Sequence, residues 1–223
     1  RVEISIESGL AMEASGSAAV STSSAQLAVL AWNEYLLFPK GADLEKVSIS
    51  ASVVVPSGWV LACALSSKVG ADGGYEFESG SVGRLIDSPV QMGQYSRAFV
   101  LQGSAPRADL KQSISVMADS PGALEVPKGF TQGYDRLVAE AGALFGSRMY
   151  RHYTWLLSLS DHIDHFGLEH HESSDDRMEE NALNDPDLRM RLGRLLGHEY
   201  VHSWNGKYRR PEIHLSPDHQ KPM

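Results

Sequence analysis

"GHEYVHSWNGKYRRPE", residues 197–212, sets His198 and His202 four apart, with Glu199 beside the first. Residues i and i+4 share a helix face, so these histidines can present two imidazole nitrogens to one tetrahedral ion about 2.0–2.1 Å away. Glu199 is then placed to take the proton of a water that attacks a carbonyl, while the ion polarises that carbonyl. The bare HExxH pattern arises by chance in many sequences, so its surroundings decide what it means. Zinc held this way also wants a further protein ligand.

Upstream of the motif the sequence frames a helix. Asp185 is a natural N-cap, Pro186 fits the first helical position, and Asp187 adds negative charge where the helix dipole favours it. At 100° per residue Leu188, Leu192, Leu195 and Leu196 form one apolar face, and Glu199 falls in its middle. An ionised carboxylate buried without a partner is costly, so Glu199 there predicts a nearby cation or a functional water. Asn205 and Gly206 supply the expected helix stop.

Further out, 223 residues with 42% hydrophobic and 22% charged content can bury an ordinary core in one large domain or two small ones. A formal charge of -8 and a pI near 5.6 argue against nucleic acid as a partner. The short basic run Lys207 to Arg210 reads as a helix-end cluster. No stretch of about 18 apolar residues is present to span a membrane. The single cysteine, Cys63, lies in the apolar run "WVLACAL" and reads as a buried thiol, which leaves the compartment open. Oligomeric state is equally open.

The first part of the chain is rich in β-branched residues and turn formers. Strand candidates are "VEISIE", "AQLAVLAW", "VSISASVVV", "WVLACAL", "RAFVLQG" and "QSISVMA", separated by Gly, Pro, Ser and Asp clusters. This predicts an antiparallel β-sandwich-like domain over residues 1–125, with the Ser/Ala-rich stretch 14–25 as a loop. The character then changes. "TQGYDRLVAEAGALFG" sets Tyr134, Leu137, Val138, Ala141 and Leu144 at helical spacing with Gly146 as a stop, and "YTWLLSLS" reads as a buried strand. All nine histidines fall at or after His152, and ten carboxylates accompany a single arginine between Asp161 and Asp187. A break of this size predicts a second domain over residues 126–223. The fold class expected is therefore α+β.

The run "HEYVHSWNGKYRRPE" resembles the signature of the glycyl aminopeptidase family of zinc peptidases, where HExxH is followed by Trp-Asn, a basic cluster and Pro. "LLSLSDHIDHFGLEH" is similar to the strand and Gly-Leu-Glu-His stretch ahead of that family's zinc helix, and "LIDSPVQMG" to a marker in its preceding β domain. "LFP" and "VPSGW" stand in matching order, so the resemblance spans most of the chain. It implies a β domain followed by a thermolysin-like catalytic domain, and zinc-dependent removal of N-terminal residues with Gly and Ala favoured. Carried onto this sequence, it makes His198 and His202 zinc ligands and Glu199 the general base. Gly167, Leu168 and Glu169 resemble the segment that binds the free amino end of a peptide substrate. A carboxylate there would pair with an α-ammonium and so measure one residue from the scissile bond. His165 and Phe166 stand where the family usually has small glycines.

The same resemblance implies that the third zinc ligand is a Glu on the helix after the HExxH helix. Glu212 follows Pro211 in a turn-rich stretch and is a poor candidate; His214, Asp218 and His219 lie close to the end of the sequence. The expectation is thus that the ligand lies beyond Met223, and that the chain is the first, inactive part of a zinc aminopeptidase. The alternative is a noncatalytic protein-binding module carrying a degenerate peptidase domain. Asp161, His162, Asp164, His165, His170 and His171 could be read as a second metal site, but their spacing matches no tight site and acidic His-rich loops are usually solvated.

Overall fold

The structure, a computed structural model, describes residues 21–71, 73–101 and 111–211. The strand candidate "VEISIE" and the four C-terminal ligand candidates Glu212, His214, Asp218 and His219 lie outside the described residues, as does most of the stretch 14–25.

Short strands dominate the first region, in the order β1 (Thr22–Ser23), β2 (Leu27–Leu30), β3 (Ser48–Ile49), β4 (Ser52–Val53), β5 (Val60–Cys63), β6 (Ser67–Val69), β7 (Tyr75–Phe77) and β8 (Gly80–Ser81). The helical turn α1 (Val82–Ile86) and β9 (Val90–Gly93) complete it. They form an antiparallel sheet β1-β2-β9-β5, a three-stranded sheet β4-β7-β6 and a ribbon β3-β8. Trp32, Leu65, Phe77, Leu85 and Val90 fill the space between them. "VSISASVVV" breaks into two paired stubs rather than one strand. Cys63 sits against this core, where burial pushes its thiol up to about 12.

The second region is built on a five-stranded mixed sheet. Its members are β10 (Tyr95–Leu101), β11 (Lys111–Ala118), β12 (His152–Leu159), β13 (Phe166–Glu169) and β14 (Ser173–Met178), in the order β10-β11-β12-β14-β13. The central pairs β11/β12 and β12/β14 are parallel and the two outer pairs antiparallel. The boundary expected at 125/126 therefore runs through a sheet, because β10 and β11, assigned to the β domain, hydrogen-bond into the second one. Alternation along "RAFVLQG" and "QSISVMA" shows that strands form but not whose edge they join.

Helices α2 (Phe130–Phe145) and α3 (Pro186–His202) cover one face of this sheet, burying Tyr134, Val138, Leu192, Leu196 and Tyr200 against Trp155 and Leu157. Gly146 ends α2 in the left-handed region, at φ 66°, as expected of a helix stop. Leu144, set at helical spacing with the inward residues of α2, is 78% exposed, while the next residue, Phe145, packs against the core and stacks on Trp204. On the opposite face Leu27, Met117 and Ile163 pack together and the Gln91 amide donates to Ser158 Oγ at 3.0 Å, so the two regions share an interior. Among the described residues no helix is long and apolar enough to cross a membrane.

Candidate metal centre

Helix α3 starts where its caps require. The Asp185 carboxylate accepts from the backbone N–H groups of Asp187 and Leu188 at 2.8 and 2.9 Å, and Pro186 opens the first turn. The sheet then fixes its C-terminal half by side chains that reach helix carbonyls. Trp155 Nε1 donates to Leu196 O at 2.9 Å and the Tyr153 hydroxyl to Glu199 O at 3.3 Å, while the Tyr150 and Tyr200 hydroxyls bond to each other. Beyond the helix, Trp204 Nε1 donates to Ser147 O at 2.6 Å. These bonds leave the turn that bears the histidines little freedom to rotate.

The two imidazoles face each other at that turn. Their Nε2 atoms are 3.1 Å apart, close to the edge of about 3.3 Å that two nitrogens 2.0–2.1 Å from one tetrahedral ion would span. His202 Nδ1 lies 2.9 Å from the backbone oxygen of Asn205, and a carbonyl can only accept, so Nδ1 carries the proton and Nε2 offers its lone pair. Gly206 makes this closure possible. Its φ is 137°, and a Cβ there would stand 3.0 Å from His202 Nδ1. Among the described residues His198, Glu199 and His202 are the group whose ligand atoms all fall within 4.8 Å of one another. Two converging imidazole nitrogens beside a carboxylate suit zinc in donor type and spacing.

Glu199 is 4% exposed, in the inward position the helix pattern gave it. Burial pushes its carboxyl up to about 7, with the His202 charge opposing and the Glu169 charge reinforcing. It lies directly over Gly167: a Cβ at that position would meet Glu199 Oε1 at 2.2 Å and Leu195 Cδ1 at 2.7 Å. Gly167 is thus needed for the close approach of β13 to α3. Leu168 and Glu169 continue the same strand, with Leu168 opposite Asp175 and Glu169 opposite Ser174 on β14. Glu169 Oε1 lies 3.9 Å from the Cβ position of Gly206, which brings it to the His202 end of the centre. Gly167, Glu169, His198, Glu199 and His202 thus gather where β13 meets the last turns of α3, whereas Leu168, between Gly167 and Glu169 on the strand, points to its other face.

The acidic His-rich stretch divides among other tasks. His165 Nε2 lies 2.8 Å from Ser160 O, and Asp161 accepts from the backbone N–H of Glu180 at 3.0 Å. His170 and His171 turn away from the centre toward Asp87, just past α1. The Asp87 carboxylate is 3.4 Å from His170 Nδ1 and 2.6 Å from His171 Nδ1, accepts from His171 N–H at 2.8 Å, and pairs with Lys207 Nζ at 2.7 Å. Burial opposes ionisation of Asp87, but the two histidine hydrogen bonds and the Lys207 charge outweigh it and hold the carboxyl far below its usual range. Sequence reading gave Asp87 no role, and read Asn205 only as part of a helix stop and Lys207 only as the start of a basic run. The only signal was that Asp87 lies within "LIDSPVQMG".

Residues 1–94 match the family model for the peptidase M61 N-terminal domain and residues 191–223 that for M61 glycyl aminopeptidase, together more than half of the chain. No curated protein matches it. Among solved structures it is similar to an aminopeptidase N family protein from Idiomarina loihiensis, at 19% identity and a TM-score of 0.72 over 90% of this chain. It is also similar to an M1 zinc metallopeptidase from Deinococcus radiodurans, at 15% identity and a TM-score of 0.53 over 82% of this chain, and to a point mutant of that protein at 14% and 0.55. The chain spans 34% of the first of these proteins and 41% of the second. At such identities the likeness is one of fold.

Proposed function

We propose, on the premise that this chain belongs to the M61 glycyl aminopeptidase family, that it carries the base, two metal ligands and the amine-recognition strand of a zinc-dependent aminopeptidase. The observation that supports this most directly is the convergence of the His198 and His202 Nε2 atoms at 3.1 Å beside the buried Glu199. Zinc, when bound by His198 and His202, supplies Lewis-acid polarisation of the scissile carbonyl. Glu199 takes a proton from the attacking water and returns it to the departing amine as the C–N bond breaks, a task suited to a carboxyl whose pKa burial has moved to about 7. Glu169 pairs with the α-ammonium of the peptide. Because that charge is fixed one residue from the carbonyl, the pairing limits cleavage to the first residue; the preference for Gly or Ala there is what the family resemblance implies.

A third protein ligand comes from outside the described residues in this reading, since His198, Glu199 and His202 exhaust the cluster within them. We place the division between the two regions near residue 94, where the N-terminal family match ends and the five-stranded sheet begins, rather than at 125/126.

The test is release of glycine from a glycyl chromogenic substrate with added zinc, by residues 1–223 and by a form extended by about 100 residues, a length taken from typical domain size. Zinc-dependent, chelator-sensitive turnover by the longer form alone is expected. No turnover by either form rejects the aminopeptidase. Equal turnover by both places the third ligand among Glu212, His214, Asp218 and His219.

A further inference from the structure

The centre has a direction along α3. Glu169 stands at its His202 end, so a peptide whose amine pairs with Glu169 and whose carbonyl sits between the histidines must leave past His198, toward the N-terminus of the helix. There the structure has a groove of about 440 Å³, floored by Phe166 and Leu195 and bordered by His165, Arg191, Arg194 and His198. This groove begins at a proposed metal ligand and runs along the open edge strand β13.

Its charges are unequally matched. Arg177 is buried, pairs with Asp175 at 2.6 Å and lies over the Phe166 ring at 4.5 Å. Arg191 pairs with Glu179 at 2.8 Å, and the same carboxylate lies 3.9 Å from His165 Nδ1. Arg194 has only the sulfur of Met190, 3.9 Å from its Nη2, and meets no carboxylate among the described residues. A guanidinium presents a planar pair of donors matched to a carboxylate, and is more weakly hydrated than an ammonium. With Arg177 and Arg191 each matched to a carboxylate, Arg194 is the arginine of the groove that has none among the described residues.

We infer that this groove receives the leaving part of the peptide and that Arg194 makes it selective for a carboxylate there, supplied either by an acidic residue just after the scissile bond or by the C-terminus of a short peptide. The inference rests on the proposed peptidase reading for its direction. It makes Arg194 a specificity residue, acting on the leaving peptide rather than on the released amino acid.

Two substrate pairs separate the sources of the carboxylate in the zinc-loaded, extended protein. Gly-Ala-Ala against its C-terminal amide tests the terminus, and Gly-Glu-Ala-amide against Gly-Gln-Ala-amide tests the side chain. At least one pair should show about a tenfold preference for the carboxylate, carried by KM, as a charge-assisted contact in a partly exposed groove allows. Arg194→Gln should bring that ratio near one and Arg194→Glu below one. No preference in either pair, or one that survives Arg194→Gln, overturns the inference while leaving the aminopeptidase intact. Should no peptide be cleaved, the aminopeptidase reading fails, and binding decides the groove separately. The Arg194 side-chain N–H resonance of residues 1–223 should shift on titration with Glu-Ala-amide and not with Gln-Ala-amide; equal response to both overturns the carboxylate selectivity.

Discussion

Two histidine pairs lie within a short reach of each other and could hardly differ more. His170 and His171 are adjacent in sequence, share the Asp87 carboxylate and have Lys207 on the same acceptor. His198 and His202, one helical turn apart, share no carboxylate hydrogen bond among the described residues and point their Nε2 atoms at each other. The first pair is closed at Nδ1: both imidazoles turn that nitrogen to Asp87 and Lys207 pairs with the same carboxylate, while His170 Nε2 is buried with no hydrogen-bond partner among the described residues. The second is open, because the Asn205 carbonyl accepts from His202 Nδ1–H, so that Nε2 carries the lone pair. Residue type distinguishes nothing here. What makes a histidine pair a metal site is which of its nitrogens the surrounding backbone and charges have already claimed.

The largest effect should come from disabling the open pair. Glu199→Gln keeps the shape of the carboxyl but removes the base. In the extended, zinc-loaded protein turnover should fall by about 10² or more, while metal analysis finds the zinc content unchanged. His202→Ala should remove the zinc as well. Full zinc content in His202→Ala would show that the open pair is not the metal site, and the contrast with the closed pair would collapse.

Breaking the closed pair should act on stability instead. Asp87→Asn leaves Lys207 and two imidazoles without their shared anion, at a cost of about 2–3 kcal/mol, toward the low end for a buried pair because Asp87 keeps some exposure. The sign of its pH dependence is fixed by the direction of the shift. A carboxyl held below its ordinary value stabilises the fold fully above its unfolded pKa of about 3.9, and the contribution is lost as pH falls below that. Denaturant unfolding from pH 7 down to pH 2 should therefore show a steeper acid loss for the wild type than for Asp87→Asn. Parallel curves would mean that Asp87 is not the group that titrates.

A smaller change sharpens the contrast from inside the open pair. At Gly206 an added Cβ would sit 3.0 Å from His202 Nδ1 with φ at 137°, so Gly206→Ala must shift the segment that accepts the imidazole proton. A cost of about 1–2 kcal/mol is expected for an L residue in that backbone region. Loss of the orienting bond should weaken zinc about tenfold, read by competition with a chelator. Unchanged zinc affinity would show that the Nδ1 bond does not set the ligand geometry.

The open pair was legible in the sequence because all of it is local. One helix, with its N-cap at Asp185, its apolar face through Leu192 and Leu196 and a misplaced Glu199, carries the ligands and the base within five residues. The closed pair was not legible. His170 and His171 sit in an acidic stretch that reads as solvated or as a second metal site, and Asp87, which binds them, comes from the other region of the chain, more than 80 residues earlier. For the same reason the sheet that spans the expected boundary at 125/126 was not legible. Composition changes where the histidines and helices begin, whereas the sheet begins with β10, whose pairing with β11 and through it with β12 no local pattern records. Local periodicity finds elements; long-range partners decide which of them share a sheet or a charge.

The smallest expected effect tests whether the two pairs are independent. Lys207 pairs with Asp87 of the closed set, yet it is only two residues past Asn205, whose carbonyl holds His202 of the open one. The ion pair therefore anchors the far end of the segment that sets the tautomer of a proposed zinc ligand. Lys207→Met keeps the aliphatic stem and removes the charge. Since the two side chains are 17% and 19% exposed, this should cost only about 1 kcal/mol of stability. If the segment transmits strain, zinc should weaken by about twofold to threefold, less than in Gly206→Ala because the Asn205 carbonyl itself is untouched. Combining Lys207→Met with Asp87→Asn gives the measure of coupling: the double variant should bind zinc no more weakly than the worse single one, because both remove the same anchor. Strictly additive losses would mean that the two residues reach His202 by separate routes, and that the closed pair supports the fold without steadying the open one.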